Sequence, residues 1–271
     1  MSRYGLLGEK LGHSLSPQIH NHILQYLGME QGYDLLEVPP EKLPWEIERL
    51  KKEGVRGVNV TIPYKETVMP LLDEISPEAQ AIGAVNVIDF REGCLVGYNT
   101  DYFGFSAMLR LAGISVQGKQ VVQLGAGGAA KACIAALHDL GAASILVANR
   151  TGDKLAELRE RFPFLSTCLL EDTEALQGDI LVNCTPVGMY PKVEGCPVSR
   201  EVICRFEAVA DVVYNPLDTL LVSTAKELGL TASSGLNMLV YQAMKAQEIW
   251  QGSALPESLG EAIYQELSAL F

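Results

Sequence analysis

The sequence predicts an α/β protein of two domains whose sheets are mostly parallel. Three observations carry that expectation. Short apolar, β-branched runs alternate with helical patterns through the first half of the chain, the order that builds a parallel sheet. A strand, a glycine turn and an alanine-rich helix around Gly125 begin a second series of the same kind. Two long helical patterns then close the chain. Its 271 residues, 48% of them hydrophobic, fit one or two domains with a sizeable core.

In order, Tyr4–Gly8 reads as a strand. A loop through Ser14 leads to a helix with Ile19, Ile23 and Leu27 on one face. Ser16 is its expected N-cap, Pro17 its first helical residue and Gly28 its stop. Tyr33–Val38 reads as a strand, and Pro40–Glu53 as a helix that turns Leu43, Ile47 and Leu50 inward. Val55–Ile62 is the next strand, and Pro63 opens another helix. Pro77–Ile82 is a short helix. Ala84–Ile88 and Cys94–Gly97 form a hairpin candidate about a turn at Arg91–Gly93. Asp101 starts a linking helix with Phe105, Met108, Leu109 and Leu111, ended by Gly113.

The second series has strands at Val121–Leu124, Ala143–Ala148, Asp179–Asn183 and Ala208–Val213. Helices are expected at about Leu236–Gln251 and Pro256–Leu270. The expected division is 1–100, with 235–271 returning to it, and 101–234.

The stretch from Val121 to Ala132 has the spacing Gly-x-Gly-x-x-Ala at Gly125, Gly127 and Ala130. Gly125 permits the tight turn, Gly127 lets a bound group approach the backbone, and Ala130 lets helix and strand pack. Amide donors and the positive dipole end of the helix suit a pyrophosphate there. The following strand ends in Asn149-Arg150-Thr151. A fold of this kind that prefers NAD usually carries Asp or Glu at that point, to accept from the ribose 2′-hydroxyl. Here a planar guanidinium matches a 2′-phosphate, so NADP is the expected cofactor. The loop from Thr185 to Met189 follows a strand at its carboxyl end, where ligands of open α/β sheets bind.

Formal charge is −12, from 21 Lys and Arg against 33 Asp and Glu, which argues against nucleic acid as a partner. An anionic cofactor must therefore be held by local positive groups. No apolar run approaches the roughly 18 residues of a membrane span. The first residues run straight into a strand, with no leader pattern. Six scattered cysteines lack metal spacing, and His20 and His22 decorate a helix rather than pair at a metal. The expectation is a cytoplasmic protein with reduced thiols and no metal.

Polar residues interrupt the apolar runs of the first half. Asn59 and Thr61 alternate with valine and isoleucine at a strand's carboxyl end and share one side. Lys65 falls in the first turn of the next helix, where the macrodipole disfavours a cation. Asn86 interrupts a strand, Asp101 precedes helical residues, Tyr214 ends a strand and Gln242 sits on an apolar helix. Each alone is accounted for by capping or by an amide bonded to backbone. Together with Ser14 and Ser16 they supply neutral hydrogen-bonding groups and one Lys–Asp pair, a set that suits a small polyhydroxylated acid.

These residues resemble the shikimate dehydrogenase family over essentially the whole chain. Ser14-Leu15-Ser16-Pro17, Asn59 through Lys65, Gly83-Ala84-Val85-Asn86 and Asn99-Thr100-Asp101 each match a family motif. So do Gly125 through Ala129, Asn149-Arg150-Thr151 and Gly235 through Gln242, in the family's order. The resemblance implies a Rossmann-type NADP domain beside a substrate domain, and reversible NADPH-dependent reduction of 3-dehydroshikimate to shikimate. It implies that Lys65 transfers the proton with Asp101 as partner. Shikimate would be bound by Ser14, Ser16, Asn59, Thr61, Asn86, Tyr214 and Gln242. The implied cofactor residues are Gly125, Ala126, Gly127, Gly128, Ala129, Asn149, Arg150, Thr151, Lys154, Thr185, Val212, Gly235 and Met238.

Lys154 stands where the family often has arginine, a point charge in place of a fork. Pro77 stands where some members carry an acidic residue. Two competing readings are a quinate/shikimate dehydrogenase using either cofactor and a non-catalytic nucleotide-binding sensor. The expected partner is a small molecule, with no membrane or nucleic acid, and the chain is a monomer or a homodimer.

Overall fold

A computed structural model describes residues 4–12, 14–30, 32–91, 93–170 and 175–271. The chain divides into two compact units. One runs to Thr100 and takes in Gln242–Ile263; the other is Asp101–Tyr241 with Tyr264–Phe271. The segment that rejoins the first unit is thus shorter than the expected 235–271. It starts at Gln242, inside a helix, and stops at Ile263.

The first unit comprises β1 (Tyr4–Gly8), α1 (Ser16–Tyr26), β2 (Tyr33–Glu37), α2 (Leu43–Lys52), β3 (Gly57–Val60), α3 (Tyr64–Thr67), β4 (Glu74–Ile75), α4 (Pro77–Ile82), β5 (Val87–Arg91) and β6 (Cys94–Tyr98). The sheet order is β2-β1-β3-β5-β6-β4. Strand β1 is parallel to both β2 and β3, while β5 runs antiparallel to β3 and to β6. The hairpin is present, with Arg91 opposite Cys94 and Gly93 at φ +83°; Glu92 between them lies outside the described residues. Leu43, Ile47 and Leu50 face the core, as their spacing requires.

Several local expectations are corrected here. Ser16 is the first residue of α1 rather than its cap; its backbone N–H donates instead to Ser14 Oγ at 3.2 Å. Strand β3 ends at Val60, because the chain folds into a turn in which Tyr64 N–H donates to Thr61 O at 2.9 Å. Helix α3 is a single turn, and a 3₁₀ turn over Met69–Leu71 follows it. Pro70 lacks the N–H that would continue an α-helix. So short a helix sums few peptide dipoles, and the dipole argument about Lys65 loses its force. Asn86 precedes β5 rather than interrupting it.

The second unit comprises α5 (Asp101–Leu111), β7 (Gln120–Leu124), α6 (Ala130–Asp139), β8 (Ser144–Asn149), α7 (Gly152–Arg161), β9 (Ser166–Leu169), β10 (Ile180–Asn183), α8 (Arg200–Ile203), β11 (Ala208–Asp211), α9 (Leu220–Glu227) and β12 (Thr231–Ser233). Helices α10 (Leu236–Gln251) and α11 (Glu257–Ser268) follow. All strands are parallel, in the order β12-β11-β10-β7-β8-β9. Strand order reverses between β7 and β10, so the sheet is doubly wound and its ligand crevice belongs at that reversal.

Within the first unit, the carboxyl-terminal half of α10 is seated by Trp250. Its indole N–H donates to Ile88 O at 3.1 Å, and Arg56 donates to Trp250 O at 2.6 Å. A Cβ on Gly57 would lie 2.1 Å from Trp250 Nε1, so only glycine lets the ring lie against β3. Among the described residues, no helix is long and apolar enough to cross a membrane.

Candidate active site

In the second unit, the glycine loop leaves β7 at the strand reversal. Gly125 has φ +95°, and a Cβ there would lie 2.9 Å from Cys184 O. Its position is fixed by the protein's own backbone. Gly127 is different: a Cβ would meet only Cys184 O, at 4.0 Å, so the space beside it is left for something else. Buried Gln123 ties the loop together, its Nε2 donating to Gly125 O at 3.3 Å and to Ala130 O at 3.4 Å. Helix α6 begins behind Ala129 with no side-chain cap, and its first amide, Ala130 N–H, donates to Gly127 O at 3.0 Å, which closes the turn of the glycine loop.

A cavity of about 680 Å³ opens at this point. Gly125, Ala126, Gly127, Asn149, Arg150, Lys154 and Thr185 all lie on its wall. Asn149 donates to Thr151 O at 3.1 Å and to Thr151 Oγ1 at 3.0 Å, which shapes the end of β8. Arg150 and Lys154 are exposed, and neither pairs with a carboxylate among the described residues. This combination fits a dinucleotide carrying a 2′-phosphate: an open glycine at a helix start and two cations on one wall.

Thr185 is held by Asn183, whose Oδ1 accepts from Thr185 N at 3.0 Å and Oγ1 at 2.7 Å. Lys192, beyond the loop read from sequence, adds a third cation to the wall, with Glu194 near it. It has no periodic or motif signal; the loop after β10 folds back on itself, with Lys192 N–H donating to Met189 O at 2.9 Å, and so brings it there. Gly128, Ala129 and Thr151 adjoin the cavity lining in sequence without being part of it. Val212, Gly235 and Met238 are likewise not part of that lining. Gly235 is forced by contact, since its Cβ would sit 2.1 Å from Val212 O, and Met238 is buried in the same core cluster as Ala126 and Ile134.

In the first unit the amides meet. Asn86 Oδ1 accepts from Thr100 N at 2.6 Å, and Asn86 Nδ2 donates to Gln242 Oε1 at 3.3 Å. Asn59 is buried and reaches Asn86 O at 3.5 Å. Thr61, Lys65 and Ser14 are half-buried, and Ser16 is buried at the start of α1. Gln242 is thus brought to Asn86 across 156 residues, which its apolar helix pattern alone did not reveal. Asp101 is buried and opens α5 as the first residue of the second unit, and half-buried Tyr214 also belongs there. Burial raises the Tyr214 phenol above its usual range.

Fold and site first define a class: a Rossmann-type dinucleotide unit joined to a second α/β unit that carries a cluster of neutral amides. Comparison with known proteins narrows it. Residues 6–88 match the shikimate dehydrogenase substrate-binding domain model, and residues 108–189 match the shikimate/quinate 5-dehydrogenase model. The chain is 44% identical over 271 residues, all of both chains, to a shikimate dehydrogenase (NADP(+)) of Clostridium perfringens. A chorismate mutase/shikimate 5-dehydrogenase fusion protein from Clostridium acetobutylicum superposes with a TM-score of 0.94 at 41% identity, covering 98% of this chain and 97% of that one. Shikimate 5-dehydrogenase from Thermus thermophilus, solved with NADP(H) and shikimate, gives a TM-score of 0.87 at 38% identity over 98% of this chain and 99% of that one. The chain belongs to the shikimate dehydrogenase family.

Proposed function

We propose that the chain catalyses reversible, NADPH-dependent reduction of 3-dehydroshikimate to shikimate. The observation that carries this reading is the shared cavity wall of the glycine loop, Arg150 and Lys154, in a chain that belongs to this family. Residues 1–100 with the returning helical segment act as the substrate domain, and 101–234 as the NADP domain. Gly125 through Ala129 hold the pyrophosphate with backbone donors. Asn149, Arg150, Thr151 and Lys154 take the adenosine 2′-phosphate, and Thr185, Val212, Gly235 and Met238 bound the rest of the dinucleotide.

The bound cofactor supplies the hydride. The protein supplies the proton. Lys65, as ammonium, donates to the ring carbonyl oxygen in reduction, and neutral Lys65 accepts from the hydroxyl in oxidation. Asp101 is the partner that orients Lys65. Ser14, Ser16, Asn59, Thr61, Asn86, Tyr214 and Gln242 hydrogen-bond the substrate's oxygens, and an analogue lacking one would leave a protein group unpaired. The protein acts in the cytoplasm as a monomer or homodimer.

The test is an initial-rate assay of the purified chain with shikimate and NADP, following the reduced nicotinamide, with quinate in a parallel arm. Shikimate-dependent turnover supports the proposal. Binding of NADP without turnover would make the chain a nucleotide sensor, and comparable turnover of quinate would make it the broader dehydrogenase.

A further inference from the structure

Tyr33 at the head of β2, His20 in α1 and Asn59 in β3 are all buried, and they touch. The Tyr33 hydroxyl donates to Asn59 Oδ1 at 2.6 Å. The other end of the Asn59 amide fixes which atom is which. Asn59 Nδ2 lies 3.5 Å from Asn86 O, and a backbone carbonyl can only accept, so the nitrogen must face it. The carbonyl oxygen is thereby left to Tyr33.

His20 stacks on the Tyr33 ring with centroids 4.1 Å apart and planes 4° from parallel. Its Nδ1 lies 3.0 Å from Gln247 Nε2, and Gln247 Oε1 in turn accepts from Gln251 Nε2 at 3.0 Å. Nδ1 is therefore the accepting nitrogen, and the ring hydrogen sits on Nε2, which has no hydrogen-bond partner among the described residues. Burial lowers the His20 pKa to about 3, so the ring is neutral, and burial holds the Tyr33 phenol protonated. Asn59 is left with one Nδ2 hydrogen that no described residue accepts.

We infer that Tyr33, backed by His20, is a positioning residue for substrate recognition: it occupies the Asn59 oxygen and so makes Asn59 present an N–H to the ligand. The inference rests on the reading that Asn59 contacts shikimate. It adds the polarity of that contact: the substrate atom at Asn59 is an acceptor, a hydroxyl or carbonyl oxygen. Without Tyr33 only the long 3.5 Å bond from Nδ2 to Asn86 O holds the amide in that orientation, and its oxygen is left free to turn toward the ligand.

A double-mutant cycle on the full chain tests this, with Tyr33→Phe, Asn59→Ala and the pair, read as KM and kcat for shikimate at saturating NADP. Tyr33→Phe should raise the KM for shikimate about tenfold, the scale of a buried acceptor left unpaired, with kcat and the KM for NADP little changed. In the Asn59→Ala background the same substitution should add less than about twofold. Equal effects in both backgrounds, or parallel losses for shikimate and NADP, would show that Tyr33 only supports the fold. Asn59→Asp keeps the size and the bond from Tyr33 but replaces the offered N–H with an acceptor. It should bind shikimate more weakly than Asn59→Ala, and wild-type affinity in Asn59→Asp would overturn the donor assignment. Were Asn59→Ala to leave the KM for shikimate unaltered, the underlying contact would fall and the inference with it; a loss in Asn59→Ala with additive Tyr33→Phe removes the inference alone.

Discussion

Thr219 donates its hydroxyl to Asp211 at 2.7 Å, and both side chains are wholly buried. Asp211 Oδ1 also accepts from Asn183 Nδ2 at 2.9 Å and Val213 N at 3.0 Å. Asn183 in turn grips Thr185 on the cofactor cavity. The carboxyl at the end of β11 is thus held by neutral donors, with no cation paired to it among the described residues. Burial outweighs those donors and pushes its pKa up from 3.8 to about 6.

The stability consequence has a definite sign. A carboxyl with a raised folded-state pKa favours folding in its protonated form, and that contribution is lost as pH rises from its unfolded pKa through about 6. The shift corresponds to about 3 kcal/mol on the scale of 1.36 kcal/mol per pKa unit. Asp211→Asn keeps the shape and removes the charge. Urea unfolding from about pH 4 to about pH 7 should show the difference between variant and wild type moving toward the variant by about that amount. A pH-independent difference would mean that Asp211 is no more costly to ionise here than in the unfolded chain.

The two glycines of the loop should separate fold from ligand binding. Gly125→Ala places a Cβ against Cys184 O at positive φ and should cost about 1–3 kcal/mol of stability. Gly127→Ala meets almost nothing of the protein, so its thermal unfolding should match wild type while NADP binding weakens. The checks are a thermal scan and a fluorescence titration with NADP. Unaltered NADP binding in Gly127→Ala would remove the dinucleotide from this loop.

Arg150→Ala should weaken NADP selectively. A hydrogen bond to a charged group contributes about 1.5–3 kcal/mol, a tenfold to hundredfold-scale rise in KM. With Thr151 and Lys154 retained, the lower end is expected. The KM for NAD, which has no 2′-phosphate, should stay put. Equal losses with both cofactors would place Arg150 against the adenine or in a purely structural role.

Lys65→Ala should lower kcat by roughly 10²–10⁴-fold, the usual worth of general acid–base catalysis, with a far smaller change in the KM for shikimate. Near-wild-type kcat would make Lys65 an ordinary half-exposed lysine and remove it from the mechanism.

Much of this was legible in the residues because it is local. The spacing of Gly125, Gly127 and Ala130 is a statement about backbone sterics, and the turn at Gly93 and the apolar face of α2 are equally short-range. Helix and strand ends moved where a neighbour decided them: Ser16 became the first helical residue with its own amide held by Ser14, and Pro70 cut α3 to one turn. Asn86 was readable as an anomalous amide, but its pairing with Gln242 depends on how α10 returns to the first unit through Trp250 and Gly57. Lys192 left no trace in the pattern, since a lone lysine in an irregular loop has no periodicity to betray its side. Tyr33 read simply as a strand residue, because its hydroxyl finds Asn59 across the intervening strand β1.

The most direct measurement is the ratio of kcat/KM for NADP to that for NAD, taken with shikimate as the substrate of the wild-type chain. Shikimate-dependent formation of reduced cofactor with a clear preference for NADP is the predicted result. Absence of turnover with shikimate, or a preference for NAD, would contradict the reading of the cavity at Gly127, Arg150 and Lys154.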